Sequence, residues 1–225
     1  METIKRLTTL IPLLFFFFAL HAQNKTAAKP GSEKEALRYQ GGDFSLGLRN
    51  TISSFSHGNP KGVGVGVGGH MRLQLLDRLN TEWYADFISN DIHGKAHRTD
   101  IHVGWSVMFY VLNPKKFTRK FTPFVVAGHC FDQSIMKING KDGAKASRFS
   151  SAVQAGIGCS YNITPRFDIT LNTQYMFHLG EELDAHENSE GVMHIHTHKH
   201  AGWEGHLLIS LSANYKIVKL WKRKA

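Results

Sequence analysis

From Phe44 onward the chain alternates apolar residues with small or polar ones, and the alternation returns in segment after segment. The clearest run is Val63-Gly64-Val65-Gly66-Val67-Gly68, which continues through Gly69, Met71, Leu73 and Leu75 with His70, Arg72 and Gln74 between. A period of two puts one set of side chains on each face of an extended strand. A half-buried strand in a soluble protein needs only about 5 or 6 residues, whereas a tilted strand crossing a bilayer needs roughly 9 to 11. The length of this run therefore predicts a membrane-crossing strand.

Six further segments carry the same signature, and a seventh is ambiguous. Phe44, Leu46 and Leu48 alternate with Ser45, Gly47 and Arg49; Trp83, Ala85 and Phe87 with Glu82, Tyr84 and Asp86; Val103, Trp105, Val107, Phe109 and Val111 with His102, Gly104, Ser106 and Tyr110. Thr122 to Phe131 is apolar on both parities, so its facing is open, and a bulge near Gly128 is expected to hide the period. Val153, Ala155, Ile157, Cys159 and Tyr161 define the sixth strand, Phe167, Ile169, Leu171, Tyr175 and Phe177 the seventh, and Trp203, Leu207, Ile209, Leu211, Ala213 and Tyr215 the eighth. The glycines Gly64, Gly66 and Gly68 fall on the inward parity and are expected to make room for Tyr84, Tyr110 or the arginines.

The connections alternate in kind. Leu76 to Leu79, Asn113 to Lys120 and Asn162 to Pro165 read as compact turns, while Ser53 to Gly62, Ser89 to Asp100, Asp132 to Arg148 and Glu181 to Lys199 read as longer polar loops. Short turns on one side and long loops on the other is the asymmetry of outer-membrane barrels, with both chain ends on the short-turn, periplasmic side. The predicted fold is all-β: an antiparallel up-and-down transmembrane barrel of about eight strands over residues 43–218.

The N-terminus adds the compartment. Lys5 and Arg6 precede an apolar run from Leu10 to Leu20, followed by Ala22, which reads as a secretory signal over residues 1–22. Residues 23–42 read as a flexible periplasmic lead-in and residues 219–225 as a basic periplasmic tail. Mean hydropathy is only −0.25, as expected when half of every strand faces a lumen. Removing Lys5, Arg6 and Glu2 lowers the formal charge from +9 to +8, which suits anionic headgroups. No nucleic-acid motif accompanies it. Cys130 and Cys159 are predicted at opposite ends of a strand pair; an oxidising compartment permits a disulfide, but the spacing disfavours it.

With these patterns in view, the chain resembles the small outer-membrane barrels of the OmpA/OmpX/OmpW type over roughly residues 43–218. The alternating strands, the Gly-rich strand and a Thr-Pro-Phe-Val-Val-Ala-Gly segment at residues 122–128 carry the resemblance. It implies an integral, monomeric protein of a Gram-negative outer membrane, in contact with its lipid and recognised by the barrel-insertion machinery. Such barrels usually end on an aromatic residue. Here Tyr215 and Trp221 are internal, and recognition is expected to rest on one of them.

Candidate chemistry lies in two places. Arg49, Arg72, Glu82 and Asp86 share the inward parity, with Gln154, Asp168, Asn172 and Gln174 across the lumen, and read as a salt-bridge network filling the barrel. The chain also has fourteen histidines, and His186, His194, His196, His198 and His200 crowd into the last long loop. On an extended backbone the last four project from one side, in line with Glu204 and His206, and His178 at the top of the seventh strand is placed to join them. Imidazoles at this spacing suit Zn, Cu or Ni, with Met193 as a soft donor for copper. No cofactor is required for the fold. The reading is a structural or surface-interaction barrel whose external loop binds a transition metal or another extracellular ligand. A narrow ion or small-solute channel is one alternative. A lipid-modifying enzyme using His186, Glu187 and Ser189 is another, and a soluble lipocalin-like barrel, which would turn its apolar parity inward, is the last.

Overall fold

The computed structural model describes residues 41–55, 63–92, 94–112, 120–140, 144–180, 182–187, 193–198 and 205–221. The expected signal, the lead-in up to residue 40, His200, Ser189, Trp203, Glu204 and the end of the basic tail lie outside these residues. Eight strands make the wall: β1 (Asp43–Phe55), β2 (Val63–Leu76), β3 (Leu79–Ile92), β4 (Ala96–Tyr110), β5 (Phe121–Ile138), β6 (Lys145–Asn162), β7 (Phe167–Leu179) and β10 (Gly205–Lys219). Two short strands, β8 (Glu182–Glu187) and β9 (Met193–His198), form a separate hairpin between β7 and β10. The wall closes in the order β1-β10-β7-β6-β5-β4-β3-β2, every neighbour antiparallel. At the seam, β1 pairs with β10 from Asp43 opposite Lys219 to Phe55 opposite His206. No helix among the described residues is long and apolar enough to cross a membrane; the apolar surface is on strands.

The two-residue period decides what faces where. Val63, Val65 and Val67 point outward, Val65 being 62 % exposed, while His70, Arg72 and Gln74 on the same strand are buried inside. The same holds for Leu46, Leu48 and Ile52 against Arg49, Thr51 and Ser53. An apolar belt this continuous is not the surface of a protein bathed only in water. It is also the opposite of the lipocalin pattern. Aromatics bound the belt: Phe121 packs on Tyr161 with ring centroids 4.8 Å apart, and Phe131 stacks on Phe149 at 5.8 Å. From Phe121 to Phe131 is about ten residues of β5, so at about 3.3 Å per residue and a tilt of roughly 40° the two aromatic levels are about 25 Å apart in height. That equals the height of the apolar band of transmembrane barrels.

Three expectations need correction. The polar links Ser89 to Asp100 and Asp132 to Arg148 are largely strand, because β3 and β4 run to Ile92 and from Ala96, and β5 and β6 to Ile138 and from Lys145. Their polar residues obey the period: Asn90, Arg98, Asp100, Asp132, Ser134 and Arg148 are all buried inward. Second, β5 has no bulge at Gly128, since its register with β4 and β6 is unbroken there. The segment is apolar on both parities because Phe124 and Val126 pack inward with Met108 and Tyr110. The register shifts fall instead at Phe44/Ser45 and Gln74/Leu76. Third, the glycines of β2 serve other neighbours. A Cβ at Gly68 would strike the Asp86 carboxylate, and one at Gly66 would strike Ile88, whereas Tyr84 lies over Gly104.

Two turns at the end carrying Asp43 and Lys219, here the terminal end, are as short as the sequence implies. Asp77 and Arg78 alone link β2 to β3, and Thr164 Oγ1 accepts from the Phe167 amide at 3.0 Å to close the link from β6 to β7. The opposite end of the wall, here the loop end, carries the β8–β9 hairpin.

Candidate functional site

The lumen is built in layers. Near the terminal end, Arg72 and Glu82 are direct cross-strand partners on β2 and β3, and their side chains meet at 2.6 Å from Nε to Oε2. Arg49 on β1 reaches the other Glu82 oxygen at 3.1 Å through Nη1 and Asp86 Oδ1 at 3.1 Å through Nε. Arg72 Nη1 extends the chain to Asp168 on β7 at 3.6 Å. Arg49, Arg72, Glu82 and Asp86 are thus brought together, each no more than 4 % exposed. Charges so thoroughly removed from water persist only when paired and hydrogen-bonded. Gly68, lacking a Cβ, lets the Asp86 carboxylate lie against the wall between the arginine and the strand.

Midway up, Tyr84 carries the Arg49 guanidinium over its ring at 4.4 Å and donates its hydroxyl to Gln154 Oε1 at 2.9 Å; Gln154 Nε2 then donates to Ser106 at 2.9 Å. This bridge spans β3, β6 and β4 within a layer of Ile88, Cys130, Ala152, Met176 and Leu208. Cys130 and Cys159 are free thiols. At the terminal end Met108, Tyr110, Phe124 and Val126 fill the bore, and on β7 Asn172 donates to Gln174 at 2.9 Å. Side chains therefore occupy the cross-section at several heights.

A second polar cluster lies toward the loop end. Asp132 on β5 is its hub: Oδ2 accepts from Arg148 at 2.8 Å and stands 3.2 Å from Ser134 Oγ and 3.4 Å from His178 Nδ1, while Oδ1 is 3.3 Å from His102 Nε2. Arg98 binds Asp100 at 2.9 Å, and Ser134 donates to the same carboxylate at 2.6 Å. His178 Nε2 and His206 Nε2 face each other at 3.1 Å. His178 and His206 belong to β7 and β10, and His102 to β4. Inward parity already placed His102 and His206, but grouping them with Asp132 and Arg148 requires knowing that the supposed loops continue as strands.

The histidine-rich segment forms its own structure. β9 pairs with β8 and not with the wall, so the described part of the ladder, His194 to His198, is not an upward extension of β10. The hairpin register sets His194 opposite His186, His196 opposite Asp184, and His198 opposite Glu182. Leu183 on β8 and Ile195 on β9 pack on Ile92, Ala96, Met136, Ile138 and Ala146 of the wall. Leu183 is buried, and His194 is exposed. His178 joins the lumen cluster. Among the described residues, no three His, Cys, Asp or Glu side chains already stand as a metal cage.

A closed antiparallel wall of eight strands, apolar outside and polar within, is the fold of the small outer-membrane barrels. Among solved structures, the chain is similar to Neisserial surface protein A, with a TM-score of 0.54 and 12 % identity over 77 % of this chain and 97 % of that one. A major outer membrane protein of Thermus thermophilus matches with a TM-score of 0.52 and 10 % identity, covering 77 % and 99 %. Ail, the attachment invasion locus protein of Yersinia pestis, matches with a TM-score of 0.51 and 11 % identity, covering 79 % and 100 %. No protein-family model and no curated protein sequence matches the chain.

Proposed function

We propose that this protein is a monomeric integral barrel of a Gram-negative outer membrane, with its terminal end in the periplasm, and that it acts at its loop end as a surface-interaction element that captures a transition metal. The observation that carries this reading is the β8–β9 register. It sets His186, His194, His196 and His198, with Asp184 and Glu182, at directly paired positions of the two strands that alternate with Leu183 and Ile195, which dock on the wall. Imidazoles at alternate positions, flanked by carboxylates, suit Zn, Cu or Ni. The apolar belt and its aromatic borders support the membrane assignment. The layered filling of the bore by Arg49, Tyr84, Gln154 and Phe124 weighs against the channel reading. Two neighbours are named as a surface protein and an attachment protein, in keeping with a role at the cell surface.

Fractionation tests the membrane part: the folded protein should need detergent for extraction and change gel mobility on boiling, and recovery as a detergent-free soluble protein would overturn it. Calorimetric titration of the folded protein with Zn tests the rest. Replacing His186, His194, His196 and His198 together by Ala should remove at least one equivalent of bound metal. An unchanged isotherm would remove the hairpin as the site.

A further inference from the structure

We propose a second transition-metal site, inside the barrel, in which one divalent cation is held between His178 Nε2 and His206 Nε2. The distance is the first argument. Two nitrogens each about 2.0 to 2.1 Å from a tetrahedral zinc stand about 3.3 Å apart, and these two stand 3.1 Å apart. Seating the ion between them requires a shift of a few tenths of an ångström.

The outer contacts of the two rings are the second argument. His178 Nδ1 lies 3.4 Å from Asp132 Oδ2 and 3.3 Å from Ser150 Oγ, and His206 Nδ1 lies 3.3 Å from Ser53 Oγ. A metal-bound imidazole characteristically donates its other N–H to a carboxylate, hydroxyl or carbonyl, which fixes the tautomer and the ring plane. When both Nδ1 atoms donate outward, both Nε2 atoms are acceptors 3.1 Å apart, and a cation bound by the two satisfies both, in the place a shared proton takes in the metal-free pair. Arg148 Nη2 also lies 3.4 Å from His178 Nδ1, but its shorter bond is to Asp132 at 2.8 Å.

The setting favours soft cations over hard ones. Arg98 and Arg148 neutralise Asp100 and Asp132, so the cluster attracts through nitrogen donors and not through net negative charge. Imidazole suits Zn, Cu and Ni, while Mg and Ca prefer oxygen. His102, buried on the other side of Asp132, has its Nδ1 without a hydrogen-bond partner and its ring centroid 6.4 Å from that of His206. It supplies a further imidazole beside the pair. Both site histidines are inward at the loop end of their strands, where an ion entering past the hairpin would arrive.

The test uses the full chain folded in detergent micelles, in a background where His186, His194, His196, His198 and His200 are all Ala, so that failure here is separable from failure of the hairpin site. Zinc titration should then still show one equivalent, unaffected by millimolar Mg. Adding His206→Gln should weaken it by more than a hundredfold. Asp132→Asn, removing the outer partner, should weaken it by about 10- to 100-fold. Cu(II) bound to the same background should show electron-spin couplings to two imidazole nitrogens, a measurement that does not depend on His206→Gln folding. A hairpin-free background that binds no Zn or Cu, a His206→Gln variant that binds unchanged, or bound copper without two imidazole couplings would each overturn the proposal.

Discussion

Replacing Glu82 by Gln and Arg72 by Met should destabilise the barrel to different degrees, and the difference can be worked from the lower lumen network. In Glu82→Gln the carboxamide keeps the shape and one acceptor oxygen. Arg49 retains Asp86 at 3.1 Å and Arg72 retains Asp168 at 3.6 Å. The single oxygen accepts from only one arginine and the amide NH2 faces the other, so one charge-assisted hydrogen bond is lost outright and the second keeps only its neutral part. Bonds to charged groups contribute about 1.5 to 3 kcal/mol against roughly 0.5 to 1.5 for neutral ones, so the loss is about 2.5 to 4 kcal/mol. Arg72→Met is harsher. Glu82 keeps Arg49, but Asp168 is left with the neutral donors Thr170 at 3.0 Å and Asn214 at 3.1 Å in a site 1 % exposed. Stranding a buried charge in this way costs about 3 to 5 kcal/mol. Urea unfolding in lipid vesicles, followed by heat-modifiable gel mobility and tryptophan fluorescence, gives both values on one scale. A greater loss for Glu82→Gln would refute the assignment of which charges depend on which partners.

Three further outcomes follow from single contacts. Gly68→Ala should lower folding yield and cost about 1 to 3 kcal/mol, because its Cβ would strike the Asp86 carboxylate, whereas Gly69→Ala, with only the Gly47 carbonyl at 3.6 Å, should match wild type in the same gel assay. Tyr84→Phe should cost about 1 to 3 kcal/mol in urea unfolding by leaving Gln154 Oε1 without its buried donor, and a cost near zero would mean that water replaces the hydroxyl. Leu183→Asp should release the β8–β9 hairpin while sparing the wall, seen as rapid proteolysis within the segment and unchanged heat-modifiability; equal protease resistance would show that the apolar face does not hold it.

The wall was legible in the sequence because one physical rule, alternate residues on alternate faces, applies to every strand. Val63 to Leu75 obeys it throughout and Phe167 to Phe177 with only Thr173 and Met176 out of pattern, and their facing follows directly. It failed to mark the upper strands. Asn90, Arg98, Asp132 and Arg148 are polar like loop residues, but they are polar because that part of the lumen is. It was also silent on β5, where Phe124 and Val126 enter the bore and erase the contrast between parities. The lower charge network could be listed from parity alone, since Arg49, Arg72, Glu82 and Asp86 all fall on inward positions near one another in register. The His178–His206 pair was legible only as two histidines near the top of neighbouring strands. Their contact depends on how far β7 and β10 are offset, and local sequence carries no record of that offset.

The closing seam also has a kinetic side. Every other pairing in the wall joins strands that are either consecutive in the chain or, for β7 and β10, separated by the hairpin segment, so each closes a short or moderate loop. Only β1 with β10 must bring Asp43 to Lys219, across nearly the whole described chain. Loop-closure entropy rises with the logarithm of length, and non-local pairing slows folding. The seam is therefore the last contact to become favourable, once the intervening strands have shortened the effective loop. Until then, β1 and β10 are two unpaired edges, each a template for another chain. Lys216, 3.8 Å from Asp43 at that seam, and the register shift between Phe44 and Ser45 stand where a premature partner would have to bind.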